Sequence, residues 1–257
     1  MKVIAVVNQK GGVAKTTSTQ NIGVGLAKLG KKVLLIDFDP QGNLTSGFGI
    51  DKRDLNYTVY DILKTRAFPG PEISVEKVLL EKDNISILPT NIKMSKINIE
   101  LGGVPGKDNI LKEILKEIYG FDYILIDCPP SLDTLTFNAL TAADAVYIPV
   151  QAEYYALEGI SELMDTIDMV KQRLNENLKI AGVFATMLDK RVKLHLEVIK
   201  ELKKFFGEVM FKTLIRRNVK VSEASSYGKS IFDYDEKSHG AQDYLNLCKE
   251  IVEREVN

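Results

Sequence analysis

The chain has 257 residues, 45% of them hydrophobic and 27% charged, so it can bury a substantial core without disulfide or metal staples. Its two cysteines, Cys128 and Cys248, lie far apart and have no Cys or His at ligand spacing, which argues against an iron–sulfur or zinc site and fits a reducing compartment. The net charge of −1 points to no polyanion partner by itself; with no signal-peptide stretch and no run near the roughly 20 apolar residues of a membrane span, a cytoplasmic location is expected.

Short β-branched apolar runs alternate with longer periodic ones, the pattern of a mainly parallel sheet with helices on both faces. Val3–Val7 reads as a buried strand, Thr16–Leu29 as a helix with Ile22, Leu26 and Leu29 on its apolar side, and Lys32–Ile36 as a second strand. The stretch Gly47–Asn84 is less regular, with a small helical insertion around Tyr57–Thr65. Further strands are expected at Ile85–Leu88, Tyr123–Ile126, Ala145–Val150 and Ile180–Ala185. Helices are expected at Ile110–Ile118, Ala156–Leu174 and Leu194–Phe206, where apolar residues recur every three to four positions. His239–Glu255 closes as an amphipathic helix burying Tyr244, Leu247 and Ile251, with Cys248 beside them. No repeat, low-complexity segment or Pro/Gly/Ser-rich linker divides the chain, so residues 1–257 are expected to form one doubly wound α/β domain.

The first strand runs into Lys10-Gly11-Gly12-Val13-Ala14-Lys15-Thr16-Thr17 and then into a helix. A helix N-terminus offers unpaired N–H groups and a partial positive charge, so a phosphate chain settles there. Gly11 and Gly12 let the backbone curl with its amides inward, an anion-binding nest. Lys15 can then reach β- and γ-phosphates and the Thr16 hydroxyl can ligate Mg²⁺. The strict G-x-x-x-x-G-K-[ST] pattern is missed twice, by Gln9 and by Ala14. The context on either side nevertheless makes it a phosphate loop.

Two apolar runs end in acids. Leu34-Leu35-Ile36-Asp37-Phe38-Asp39-Pro40 places Asp37 and Asp39 at the C-terminal end of the second strand, the edge where ligands bind in open parallel sheets. Tyr123-Ile124-Leu125-Ile126-Asp127-Cys128-Pro129-Pro130 repeats the arrangement, with Asp127 as a magnesium-holding Walker B residue and the prolines opening a switch loop. Taken singly, each acid also fits a helix cap or a turn; three motifs in this order on successive strands point to ATP hydrolysis. In that reading Lys15 neutralises charge, Asp39 orients or activates the attacking water, and Asp37 supports the metal shell.

The loop with its added lysine resembles the deviant Walker A loop of the ParA/MinD superfamily, from whose typical Lys-Gly-Gly-Val-Gly-Lys-Thr-Thr only Ala14 departs. Over nearly the whole chain the sequence is similar to the ParA/Soj partition ATPases. The residues that carry the likeness include Asp37-Phe38-Asp39-Pro40-Gln41-Gly42-Asn43, Asp127 to Leu132, Pro149 to Gly159, Thr186 to Asp189, and Arg217-Asn218-Val219-Lys220-Val221-Ser222-Glu223-Ala224. Where that family often has proline before the last motif, this chain has Arg216. The resemblance implies a homodimer when ATP is bound, with Lys10 reaching the partner's phosphates. It also implies non-specific DNA binding in that state, release on slow hydrolysis, nucleoid association, and a ParB-type centromere-binding protein that stimulates turnover. Adenine preference comes from the resemblance as well.

From Met187 to Lys220, ten basic residues stand against four acidic ones. Lysines and arginines on one face give DNA affinity through phosphates without reading bases. By resemblance Arg191 and Lys220 match DNA-binding positions, and Arg217 is a further candidate. Lys200, Lys203 and Lys204 also fit the solvated face of an amphipathic helix. No helix-turn-helix precedes the first strand, as expected of the short form of the family. A MinD-like membrane-cycling ATPase would need a basic amphipathic tail, whereas acids outnumber bases from Leu245 to Asn257. A cargo-positioning or replication-regulating role stays open at this level.

Overall fold

Seven strands build one sheet: β1 (Lys2–Val6), β2 (Val33–Asp37), β3 (Leu80–Lys82), β4 (Ile85–Leu88), β5 (Tyr123–Asp127), β6 (Ala145–Gln151) and β7 (Lys179–Thr186). The computed structural model describes residues 1–82, 84–153 and 156–256, and for residues 156–158 and 256 the backbone alone. Tyr154 and Tyr155, within the segment quoted above, lie outside the described residues. The strand order is β3-β4-β2-β5-β1-β6-β7, parallel throughout except for β3, which pairs antiparallel with β4 at the edge.

Successive side chains of a strand face opposite sides, and the core follows that alternation. Val3 and Ala5 of β1, Leu34 and Ile36 of β2, and Ile124 and Ile126 of β5 pack on one face. It is covered by α3 (Val59–Ala67), α4 (Ile97–Glu100), α5 (Ile110–Leu115), α6 (Thr134–Ala142), α7 (Ala156–Arg173) and α8 (Lys193–Phe206). Ile4 and Val6, Val33 and Leu35, Tyr123 and Leu125 point the other way. There they meet α1 (Lys15–Lys28), α2 (Asn43–Gly47), α9 (Val219–Ser226), α10 (Ile231–Tyr234) and α11 (His239–Val256). The six longer strands are apolar almost from end to end because both faces are covered.

Each expected strand and helix is present, with boundaries shifted by up to three residues. The last turn of α5 tightens, Ile118 N–H donating to the Leu115 carbonyl at 3.2 Å, so the regular helix stops at Leu115 while Ile118 stays buried. The short α2, α4, α9 and α10 and the edge strand β3 had no periodic signal. Helix α6 had one clear mark, its cap: the Asp133 carboxylate accepts the Leu135 N–H at 3.0 Å.

Candidate nucleotide site

All six parallel strands point their C-terminal ends the same way, and at that edge the loop after β1 opens into a cleft of about 590 Å³. Gly11, Gly12, Ala14, Lys15, Thr16 and Thr17 line one end of it, with Asp39 facing them. Val13 turns its side chain into the core, 1% exposed, and contributes backbone only. Gly12 (φ 77°) and Ala14 (φ 67°) are both left-handed, which curls the loop. For alanine this conformation costs roughly 1–2 kcal/mol.

Lys15, at the first position of α1, is 7% exposed and reaches back over the loop to donate to the Lys10 carbonyl at 3.1 Å. Burial lowers its pKa, and the charges of Asp127 and Asp39 pull it back up. An ammonium held this way, with few water partners, is set to take an anion.

Beneath the cleft lie Asp37 and Asp127, in register on the neighbouring strands β2 and β5 and both fully buried. The Thr45 N–H and hydroxyl donate to Asp37 Oδ2 at 2.7 and 2.6 Å. Thr19 Oγ1 donates to Asp127 Oδ1 at 3.4 Å, and the Thr16 side chain near the Asp127 carboxyl acts to lower its pKa. Asp37 Oδ1 and Asp127 Oδ2 are buried without a hydrogen-bond partner. Burial pushes the Asp37 carboxyl up to about 7, and it raises Asp127 as well, with the nearby Asp37 charge adding to the effect. Two buried carboxylates with vacant lone pairs beside a threonine hydroxyl suit a small hard dication that takes its remaining ligands from water and phosphate. Burial also raises the Cys128 thiol, so it stays protonated and unreactive next to Asp127.

Lys10 sits apart from the cleft lining, its Nζ paired with Glu153 Oε2 at 2.5 Å. Asp39, 7% exposed, accepts the Gln41 N–H at 2.9 Å, so its loop is braced from within.

The far end of the cleft is formed by Met187, Ile215, Arg216, Arg217, Asn218 and Val221. Arg217 therefore belongs to the cleft wall, not to a separate surface with the other two basic candidates. Arg191 lies beyond β7 and is held by Asp189 at 2.7 Å; Lys220 lies on α9, paired with Glu223 at 3.1 Å and over the Tyr234 ring. Leu188 pairs with Arg216, and the Arg217 N–H donates to the Leu188 carbonyl, so the segments that carry Arg191 and Lys220 set out from neighbouring positions. Met187 and Val221 lie in segments that carry the family likeness, but that they and Ile215 line the cleft is not legible in sequence, because only the fold brings 187 beside 215–221.

A phosphate loop on β1, a strand-terminal acid pair and a central parallel sheet define a P-loop NTPase. A family model described as an AAA domain matches residues 1–180. The chain is 50% identical over 252 residues to the sporulation initiation inhibitor protein Soj of Bacillus subtilis, covering 98% of both chains. It is 44% identical over 258 residues to the chromosome partitioning protein ParA of Caulobacter vibrioides, covering 99% of this chain and 95% of that one. In three dimensions it resembles cobyrinic acid a,c-diamide synthase from Mycobacterium smegmatis with bound ADP and magnesium, at 33% identity and a TM-score of 0.86 over 100% and 96% of the two chains. The chain belongs to the ParA/Soj family of chromosome-partitioning ATPases.

Proposed function

We propose that this chain is an ATP-switched partition motor that hydrolyses Mg-ATP slowly, dimerises in the ATP state, binds DNA without sequence preference and works with a ParB-type centromere-binding protein. The observation that carries this reading is the buried pair Asp37–Asp127, each with an unpartnered oxygen, directly under the phosphate loop. When bound, Mg²⁺ would neutralise phosphate charge there. Thr16 and Asp127 would hold it, with Asp37 behind them. The loop amides from Gly11 to Thr17 and the Lys15 ammonium bind and orient the phosphates. Asp39 positions the water for in-line attack.

Lys10 then has a use outside its own loop. Reaching a partner's phosphates requires it to exchange Glu153 for those oxygens, so dimerisation and nucleotide state are read by one side chain. Arg191 and Lys220 would likewise trade Asp189 and Glu223 for DNA phosphates, contacts that fix affinity and salt sensitivity but no sequence. A membrane-cycling role is less well supported. No helix among the described residues is long and apolar enough to cross a membrane, and α11 commits Tyr244, Leu247 and Ile251 to the core.

Light scattering with Mg-ATP, Mg-ADP and no nucleotide tests the switch. Wild-type protein is expected to double its mass with Mg-ATP only. Lys15→Ala, which cannot hold the phosphates, and Lys10→Ala, which cannot reach across, stay monomeric. A dimer of equal strength with ADP would overturn the reading.

A further inference from the structure

Thr186, the last residue of β7, is fully buried, and its hydroxyl donates to the Val13 carbonyl at 3.1 Å. That bond joins the phosphate loop to the strand that leads into the opposite wall of the cleft. On the loop side it abuts Ala14 (φ 67°), on the strand side Met187 (φ 52°), both non-glycine residues held left-handed and both lining the cleft. Such conformations cost roughly 1–3 kcal/mol each and persist where their surroundings over-determine them.

The Val13 carbonyl and the Ala14 N–H belong to one planar trans peptide. Fixing the carbonyl therefore fixes the direction of the Ala14 N–H, a donor of the loop, and with the next peptide held as well it constrains φ at Ala14. The Ala14 carbonyl in turn accepts the Ser18 N–H at 2.9 Å, the bond that starts α1 and places Lys15 and Thr16. On the other side the chain leaves Met187 for Leu188, whose N–H donates to the Ile215 carbonyl at 3.0 Å and locks the far wall. We infer that Thr186 is a positioning residue for the nucleotide, holding the phosphate loop in its strained curl and tying it to the far wall of the cleft. The inference rests on the nucleotide-binding reading above, and adds a residue outside the loop and the acid motifs.

A double-mutant cycle separates this role from generic packing. Thr186→Val keeps shape and burial but removes the donor, and Thr186→Ser keeps the donor. Affinity for Mg-ADP and for a non-hydrolysable ATP analogue is measured by calorimetry on the full chain, with the melting temperature of each nucleotide-free variant as a check on folding. Thr186→Val is expected to weaken both nucleotides by about five- to tenfold, the worth of one hydrogen bond, and Thr186→Ser by less than about twofold. In an Ala14→Gly background, where the left-handed curl is no longer resisted, Thr186→Val should cost less than about twofold. If the valine variant does not fold, Thr186→Ala replaces it in both backgrounds. Equal losses with and without Ala14→Gly, or no loss at all, overturn the inference. Absence of nucleotide binding by the wild type would instead defeat the functional reading beneath it.

Discussion

Ala14 stands where the deviant Walker A pattern that the loop resembles has glycine, and its left-handed backbone gives that preference a reason: a glycine reaches φ 67° at no steric cost. Glycine gives up some stability through the unfolded chain, so Ala14→Gly is expected to raise stability by a net of about 0.5–1 kcal/mol. Thermal unfolding of the nucleotide-free protein measures this as a melting temperature higher by a few degrees at most. Arg216 is the second departure, and it too has a physical reason. Its backbone N–H donates to Asp243 Oδ2 at 3.0 Å, while Nε and Nη2 close on the same carboxylate at 2.9 and 2.6 Å. Proline, with no N–H and no guanidinium, would leave Asp243, 6% exposed, without these three donors. Arg216→Pro is therefore expected to destabilise the fold by about 3 kcal/mol, and an added Asp243→Ala to recover part of that loss; denaturant midpoints of the three proteins decide it. The motif residues were legible because their chemistry is local. The pairs Arg216–Asp243, Thr186–Val13 and Lys10–Glu153 span 27, 173 and 143 positions, and nothing in one sequence announces them.

The strand ends are where elements become a site. β2 and β5 finish in register, which stacks Asp37 against Asp127 and denies both carboxyls water. Asp37 is raised from its ordinary 3.8 to about 7, so the folded chain holds this proton more tightly than the unfolded one. Its stabilising share is complete below about pH 4 and is lost as pH climbs through about 7. The nucleotide-free protein should melt at lower temperature at about pH 8 than at about pH 5, and Asp37→Asn should flatten that slope; a dependence unchanged by the substitution contradicts the assignment. Helix packing sets a second constraint. A methyl on Gly25 of α1 would sit 2.5 Å from Cys248 Sγ of α11, so Gly25→Ala is expected to cost about 1–3 kcal/mol in chemical denaturation. At this scale the apolar strands and long helices were readable from period alone. β3, with Leu80-Glu81-Lys82, was not, because a short charged edge strand is built to avoid the apolar pattern that marks a strand.

For the whole molecule, the sheet order places a cleft between the phosphate loop and the 215–221 segment. The surplus of six positive charges between Met187 and Lys220 was visible in sequence, but its use was not. Arg217 turned to the cleft, Arg216 to a buried carboxylate, Arg191 to Asp189 and Lys220 to Glu223. Sequence order lists such residues together, and only the fold sorts them by face. Arg191 and Lys220 are both ion-paired on the surface, and exposed pairs of this kind are worth little in water, so in the proposed reading DNA phosphates can replace Asp189 and Glu223 as their partners. The most direct measurement is binding to random-sequence duplex DNA by the wild type with Mg-ATP, Mg-ADP and no nucleotide, over a range of salt. Binding with Mg-ATP alone, falling log-linearly with salt and lost in Arg191→Ala/Lys220→Ala, is the predicted result. DNA binding of equal strength in all three nucleotide states, or binding indifferent to salt, would contradict it.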